Sequence, residues 1–71
     1  MRRGDLIRKI NKAARQSDLK LELVREGGKN TIYRCGSQLV TVPRHREINE
    51  MTAIGIMADL EAELGKGWWK K

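Results

Sequence analysis

The sequence predicts an α+β two-layer sandwich: one helix, a three-stranded antiparallel sheet, and a second helix laid on the same sheet face. Three observations carry this. Apolar residues recur at helical period near the start, Leu6, Ile7, Ile10, Ala13 and Ala14. Leu19-Lys20-Leu21-Glu22-Leu23 alternates strictly, and two further runs, Thr31-Ile32-Tyr33 and Leu39-Val40-Thr41-Val42, hold β-formers. A third apolar pattern, Ile54, Met57 and Leu64 with Ile56 and Leu60 nearby, returns to helix before Gly65.

The first helix is expected over residues 5–16. Gly4 or Asp5 caps it, and an acid at that end suits the helix dipole. Arg8, Lys9, Lys12 and Arg15 occupy its outer surface, where they serve either to draw a polyanion or as an ordinary solvated face. Gln16-Ser17-Asp18 breaks the helix. A half-buried strand follows over 19–25, then a turn at Glu26-Gly27-Gly28-Lys29, where paired glycines permit positive φ. Residues 30–35 form the second strand and Gly36-Ser37 a two-residue turn with glycine first. Residues 38–42 form the third strand, which Pro43 ends because it has no N–H for the ladder. Short links between successive strands make an antiparallel meander.

After a polar connection at 44–50, the second helix is placed over 53–64. Thr52 caps it, with Asn49 as the competing cap one turn earlier. Met51 packs on Ile56 as a hydrophobic staple, and Gly55 marks close packing. Gly65 terminates the helix. Residues 1–65 thus form one domain, and 66–71 a tail rich in tryptophan and lysine. Trp68 and Trp69 are expected to fold back on their own domain; docking on a partner or stacking on bases are the other uses of such a pair.

The 71-residue chain buries only about 60% of its unfolded surface, so its core is thin. One cysteine excludes a disulfide framework and a cysteine-rich zinc site. Cys35 has no histidine partner nearby in sequence and reads as a packing residue. No apolar run is long enough for a membrane span, and Met1-Arg2-Arg3 is not followed by the apolar stretch of a signal peptide. A cytoplasmic protein is expected, with no cofactor and no metal. The net charge of +6 is unevenly distributed: the basic residues lie in the front two-thirds and the tail, while residues 47–64 hold five acids and no lysine or arginine. Such a front suits a polyanion.

The densest functional signal runs from Arg25 to Ile48. Arg25-Glu-Gly-Gly-Lys-Asn-Thr-Ile-Tyr33, then Val42-Pro-Arg-His-Arg-Glu-Ile48 and a short helix, resembles the HicA family of mRNA interferase toxins, over about residues 5–64. The helix–three strands–helix order is similar to the double-stranded-RNA-binding fold. The resemblance implies a ribosome-independent RNase that uses no metal and is neutralised by an antitoxin protein, HicB. It also places a catalytic histidine two residues after the second glycine. Here Asn30 takes that place. A histidine exchanges protons near neutral pH, whereas a carboxamide only accepts and donates hydrogen bonds. Loss of a general acid–base typically costs about 10²–10⁴-fold. The expectation is a toxin-type chain that binds mRNA and a HicB-like antitoxin while lacking most or all RNase activity.

Around Asn30, Gly27 and Gly28 frame the turn. Lys29, Arg34, Arg44, His45 and Arg46 are the candidate RNA contacts. Strand parity puts Arg34 on Asn30's face and into its site. His45 reads as structural or RNA-contacting and does not stand in for the missing base. The alternative is a non-catalytic RNA-binding module of the same fold, and a third reading is a pure protein-interaction domain.

Overall fold

In a computed structural model describing residues 1–70, the elements run α1 (Arg3–Gln16), β1 (Leu21–Glu26), β2 (Asn30–Cys35), β3 (Gln38–Pro43), α2 (Glu50–Asp59) and α3 (Glu61–Leu64). A 3-10 turn, Trp68–Lys70, follows. The sheet is antiparallel in the order β1-β2-β3, and α1 packs toward β1 while α2 packs toward β3. This is the expected α-β-β-β-α, α+β architecture.

Strand parity assigns the two faces. Thr31, Cys35, Val40 and Val42 are buried and meet Leu6, Ile10 and Ala14 of α1 and Ala53, Ile56, Met57 and Leu60 of the C-terminal helices. Full burial of a leucine or isoleucine such as Leu6 or Ile10 contributes about 1.5–3 kcal/mol. The opposite face carries Asn30, Ile32, Arg34, Leu39 and Thr41 and no buried residue. The register Asn30↔Pro43 through Cys35↔Gln38 leaves Gly36-Ser37 as the turn, with Gly36 at φ 63°.

Several boundaries differ from expectation, each for a physical reason. α1 starts at Arg3, so neither Gly4 nor Asp5 caps it. Its start is set by backbone pairing instead: Met1 and Ile48 exchange N–H···O bonds at 2.7 and 3.0 Å, and the Arg3 N–H donates to the Arg46 carbonyl at 2.9 Å. β1 starts at Leu21 and runs to Glu26, with an irregularity between Leu23 and Arg25. Leu23 pairs with Tyr33 yet is 57% exposed, because β1 is an edge strand that the helices do not fully cover. Gly27 and Gly28 do not use positive φ.

α2 begins a turn before the expected start at Ala53, because Asn49 wins over Thr52 as cap. The Asn49 side-chain carbonyl accepts from the Met51 N–H at 2.8 Å and the Thr52 N–H at 3.4 Å. The longer helix turns Met51 outward to 79% exposure and Ile54 to 42%, so no Met51–Ile56 staple forms and Ala53 takes the inner position expected of Ile54. A side chain added at Gly55 would meet open space, so that glycine marks no close packing. The expected single helix is broken at Leu60, which ends α2 and leads into the separate turn Glu61–Leu64. Gly65 ends it at φ 99°. The tail folds back as anticipated: Trp68 and Trp69 pack on the core, and the Trp68 indole N–H donates to the Met57 carbonyl at 2.8 Å.

Candidate functional site

The start of β2 and the end of β3 meet at one end of the sheet. Asn30 faces Pro43 across the ladder, and the Arg44 N–H continues the pairing to the Lys29 carbonyl at 3.0 Å. The glycine turn is closed from inside by Gly27 N–H donating to the Asn30 carbonyl at 2.8 Å. A side chain at Gly27 would stand 3.2 Å from that same carbonyl, which is the close approach a glycine allows here. Gly28 has open space around it. The Asn30 carboxamide therefore sits exposed on the uncovered sheet face, on a backbone fixed from both sides.

Arg44 has a structural task at this corner. Its guanidinium donates to the Gly27 carbonyl at 3.1 Å and lies 3.9 Å from the Glu26 carboxylate. It clamps the turn that presents Lys29 and Asn30. Lys29, His45 and Arg46 are exposed beside it. The Arg46 backbone carbonyl receives the Arg3 N–H, so the loop after β3 is tied to the start of α1.

Arg34 is placed elsewhere. It shares Asn30's face, as parity requires, but lies four positions further along the strand, about 13 Å at strand rise. It pairs with Leu39 next to the hairpin turn, and its guanidinium is 3.3 Å from the Glu22 carboxylate. Arg34 belongs to the hairpin end of the open face and not to the Asn30 corner.

Arginines at the chain start, which sequence reasoning left out of the site, reach this corner. The Arg3 guanidinium donates to the Pro43 carbonyl at 3.0 Å and to the Thr31 hydroxyl at 3.0 Å, the ladder partner and the chain neighbour of Asn30. Thr31 is 1% exposed and is the one buried polar side chain among the described residues. Arg2 bridges Glu47 through backbone pairing. The contacts of Arg3 span 28 and 40 residues, beyond the reach of any local pattern; its one signal in the sequence is a cation three residues before Leu6, where the first apolar stripe begins.

Cys35 is buried under the sheet, and burial, with the nearby Glu63 carboxylate, pushes its thiol above the usual range. That is the environment of an inert packing residue. Among the described residues no three His, Cys, Asp or Glu side chains converge, and no helix is long and apolar enough to cross a membrane. Comparison with protein-family models, with curated proteins and with solved structures returns no match for this chain.

Proposed function

We propose that the chain is a HicA-like toxin of a type II toxin–antitoxin system, an mRNA interferase fold in which Asn30 blocks the proton chemistry. It binds message without cleaving it, acts in the cytoplasm, and is held by a HicB-like antitoxin. The observation that carries this reading is the Lys29–Asn30 turn presented, exposed, against the Pro43–Arg44 corner. The spacing of the two segments in sequence is the family's, and the fold brings them face to face.

In the intact reaction the ribose 2′-oxygen attacks the adjacent phosphorus. The bond from phosphorus to the 5′-oxygen breaks, and a cyclic phosphate is left behind. The 2′-hydroxyl proton must go to a base and the departing 5′-oxygen must receive one. A histidine at position 30 exchanges such protons; the Asn30 amide cannot, although it still hydrogen-bonds phosphate or ribose. Lys29 is next to it and stabilises charge building on the phosphate.

The test is Asn30→His. It should confer RNase activity on single-stranded message, about 10²–10⁴-fold above the parent, and arrest growth on expression. Intact mRNA and healthy cells with a folded Asn30→His protein would refute the mechanism. A non-catalytic duplex binder of the same fold would prefer A-form duplex over single strands in a gel shift.

A further inference from the structure

Beside the Asn30 corner, on the helix side of the sheet, lies a groove of about 380 Å³ lined by Arg2, Arg3, Gly4, Asp5, Arg8 and Arg46. Its walls come from the chain start and from the loop after β3, segments more than 35 residues apart in sequence and joined by the Arg3–Arg46 backbone bond. Four guanidiniums face one carboxylate there, and that carboxylate is engaged: Asp5 lies 3.5 Å from Arg8. Arg3 is bonded only to neutral oxygens, those of Pro43 and Thr31. The side chains of Arg2 and Arg46 form no ion pair among the described residues. A concave cluster of cations raises the local positive potential, and the guanidinium fork matches phosphate oxygens.

We infer that this groove holds backbone phosphates of the RNA strand whose neighbouring phosphodiester lies at Asn30. The inference rests on the RNA reading above and extends it to surface outside the Asn30 turn. Asn30 lies exposed on the open face, while its neighbour Thr31 is buried on the helix side, where Arg3 of the groove wall bonds both Thr31 and Pro43, the ladder partner of Asn30. A single strand passing Asn30 turns over the Pro43–Arg46 corner and enters the groove. Arg2 and Arg46 contact phosphate. Arg3 positions the wall, since one of its bonds goes to Thr31 of β2, next to Asn30, and the other to Pro43 of β3, which pairs with Asn30. A rigid duplex cannot make that turn, so the groove selects single strands.

The experiment compares two charge-matched double variants of the full chain, Arg2→Gln/Arg46→Gln in the groove and Lys20→Gln/Lys66→Gln away from it. All four residues are exposed. Binding of a short single-stranded RNA is followed by fluorescence anisotropy as a function of salt, and circular dichroism verifies folding. Each single-strand phosphate contact contributes about 0.7 to the slope of log affinity against log salt, so the groove variant should be shallower than the parent by about 1.4 and the control unchanged. The Gly4 amide, inside the groove, should shift in proton–nitrogen spectra on titration with the same RNA. If the parent binds RNA with a steep salt slope, but the two variants behave alike and Gly4 does not move, the groove assignment is wrong and the RNA reading stands. If the parent shows no salt-dependent RNA binding, both fail.

Discussion

The Arg3 guanidinium donates to the Thr31 hydroxyl at 3.0 Å, joining the first turn of α1 to the strand residue that follows Asn30. This pair, with the Arg3 bond to the Pro43 carbonyl, couples the fold of the chain start to the geometry of the candidate site. Thr31→Val keeps the shape and removes the acceptor from a half-buried cation. Hydrogen bonds to charged groups contribute about 1.5–3 kcal/mol. Because Arg3 keeps its bond to Pro43, a loss near the lower end is expected, seen as a fall in Tm of about 4–8 °C per kcal/mol in a domain of this size. An unchanged melting curve would show that the bond contributes nothing.

Arg44 gives a kinetic prediction. Its guanidinium closes the Gly27 turn, so Arg44→Ala should displace the turn without removing a phosphate contact. Measured in the Asn30→His background, kcat should fall by about 10²-fold, the cost of a misplacement near 1 Å, with KM little altered. Were Arg44 a direct phosphate ligand, as a basic residue after Pro43 suggests, KM would rise and the salt dependence of binding would weaken by about one contact.

This division between positioning and contact follows what local pattern can and cannot say. Strand β2 was legible because Asn30–Cys35 contains β-formers bounded by glycine turns, and its parity separates Asn30 and Arg34 from Thr31 and Cys35, the two that the structure buries. The corner was legible because two motifs flank strands that a two-residue hairpin must pair. Parity gave Arg34 the right face, but a shared face does not bring it to the Asn30 end of the strand. The start of α2 was misplaced because Asn49 and Thr52 are both good caps, and the choice depends on where backbone pairing of Ile48 with Met1 leaves the chain. Arg46 was legible as a candidate RNA contact, but its place beside Arg2 was not, because the two become neighbours only through long-range backbone pairing.

The β2–β3 turn predicts a measurable coupling. Gly36 has φ 63°, and a side chain built there would run into the Glu63 carboxylate. That carboxylate reaches in to accept from the Ser37 N–H at 2.8 Å. Gly36→Ala should therefore cost the left-handed strain, about 1–2 kcal/mol, and also disturb the Glu63 contact. In a Glu63→Ala background the second loss is already taken. A double-mutant cycle by urea denaturation should give a coupling energy within about 0.5–3 kcal/mol. Additive costs would mean that Glu63 moves aside freely and pins nothing.

The chain start makes one pH prediction. The Glu47 carboxylate is 2.7 Å from the Met1 ammonium. That hydrogen bond, the attraction of the same charge and, to a smaller extent, Arg2 hold Glu47 below the ordinary glutamate value of 4.5. A lowered folded value means that the unfolded chain binds the proton first as pH falls. The stabilisation is thus full above about pH 4.5 and is lost as pH drops through the lowered folded value. Acetylating the Met1 amine removes the ammonium. The difference in Tm between free and acetylated protein should be constant at neutral pH and shrink in acid to the part that reflects the Met1 bond to the Ile48 carbonyl. With Glu47→Gln that acid decline should vanish. A difference that does not change between neutral and strongly acidic solution would show that the ion pair adds nothing to the backbone pairing of Met1 with Ile48 and of Arg3 with Arg46.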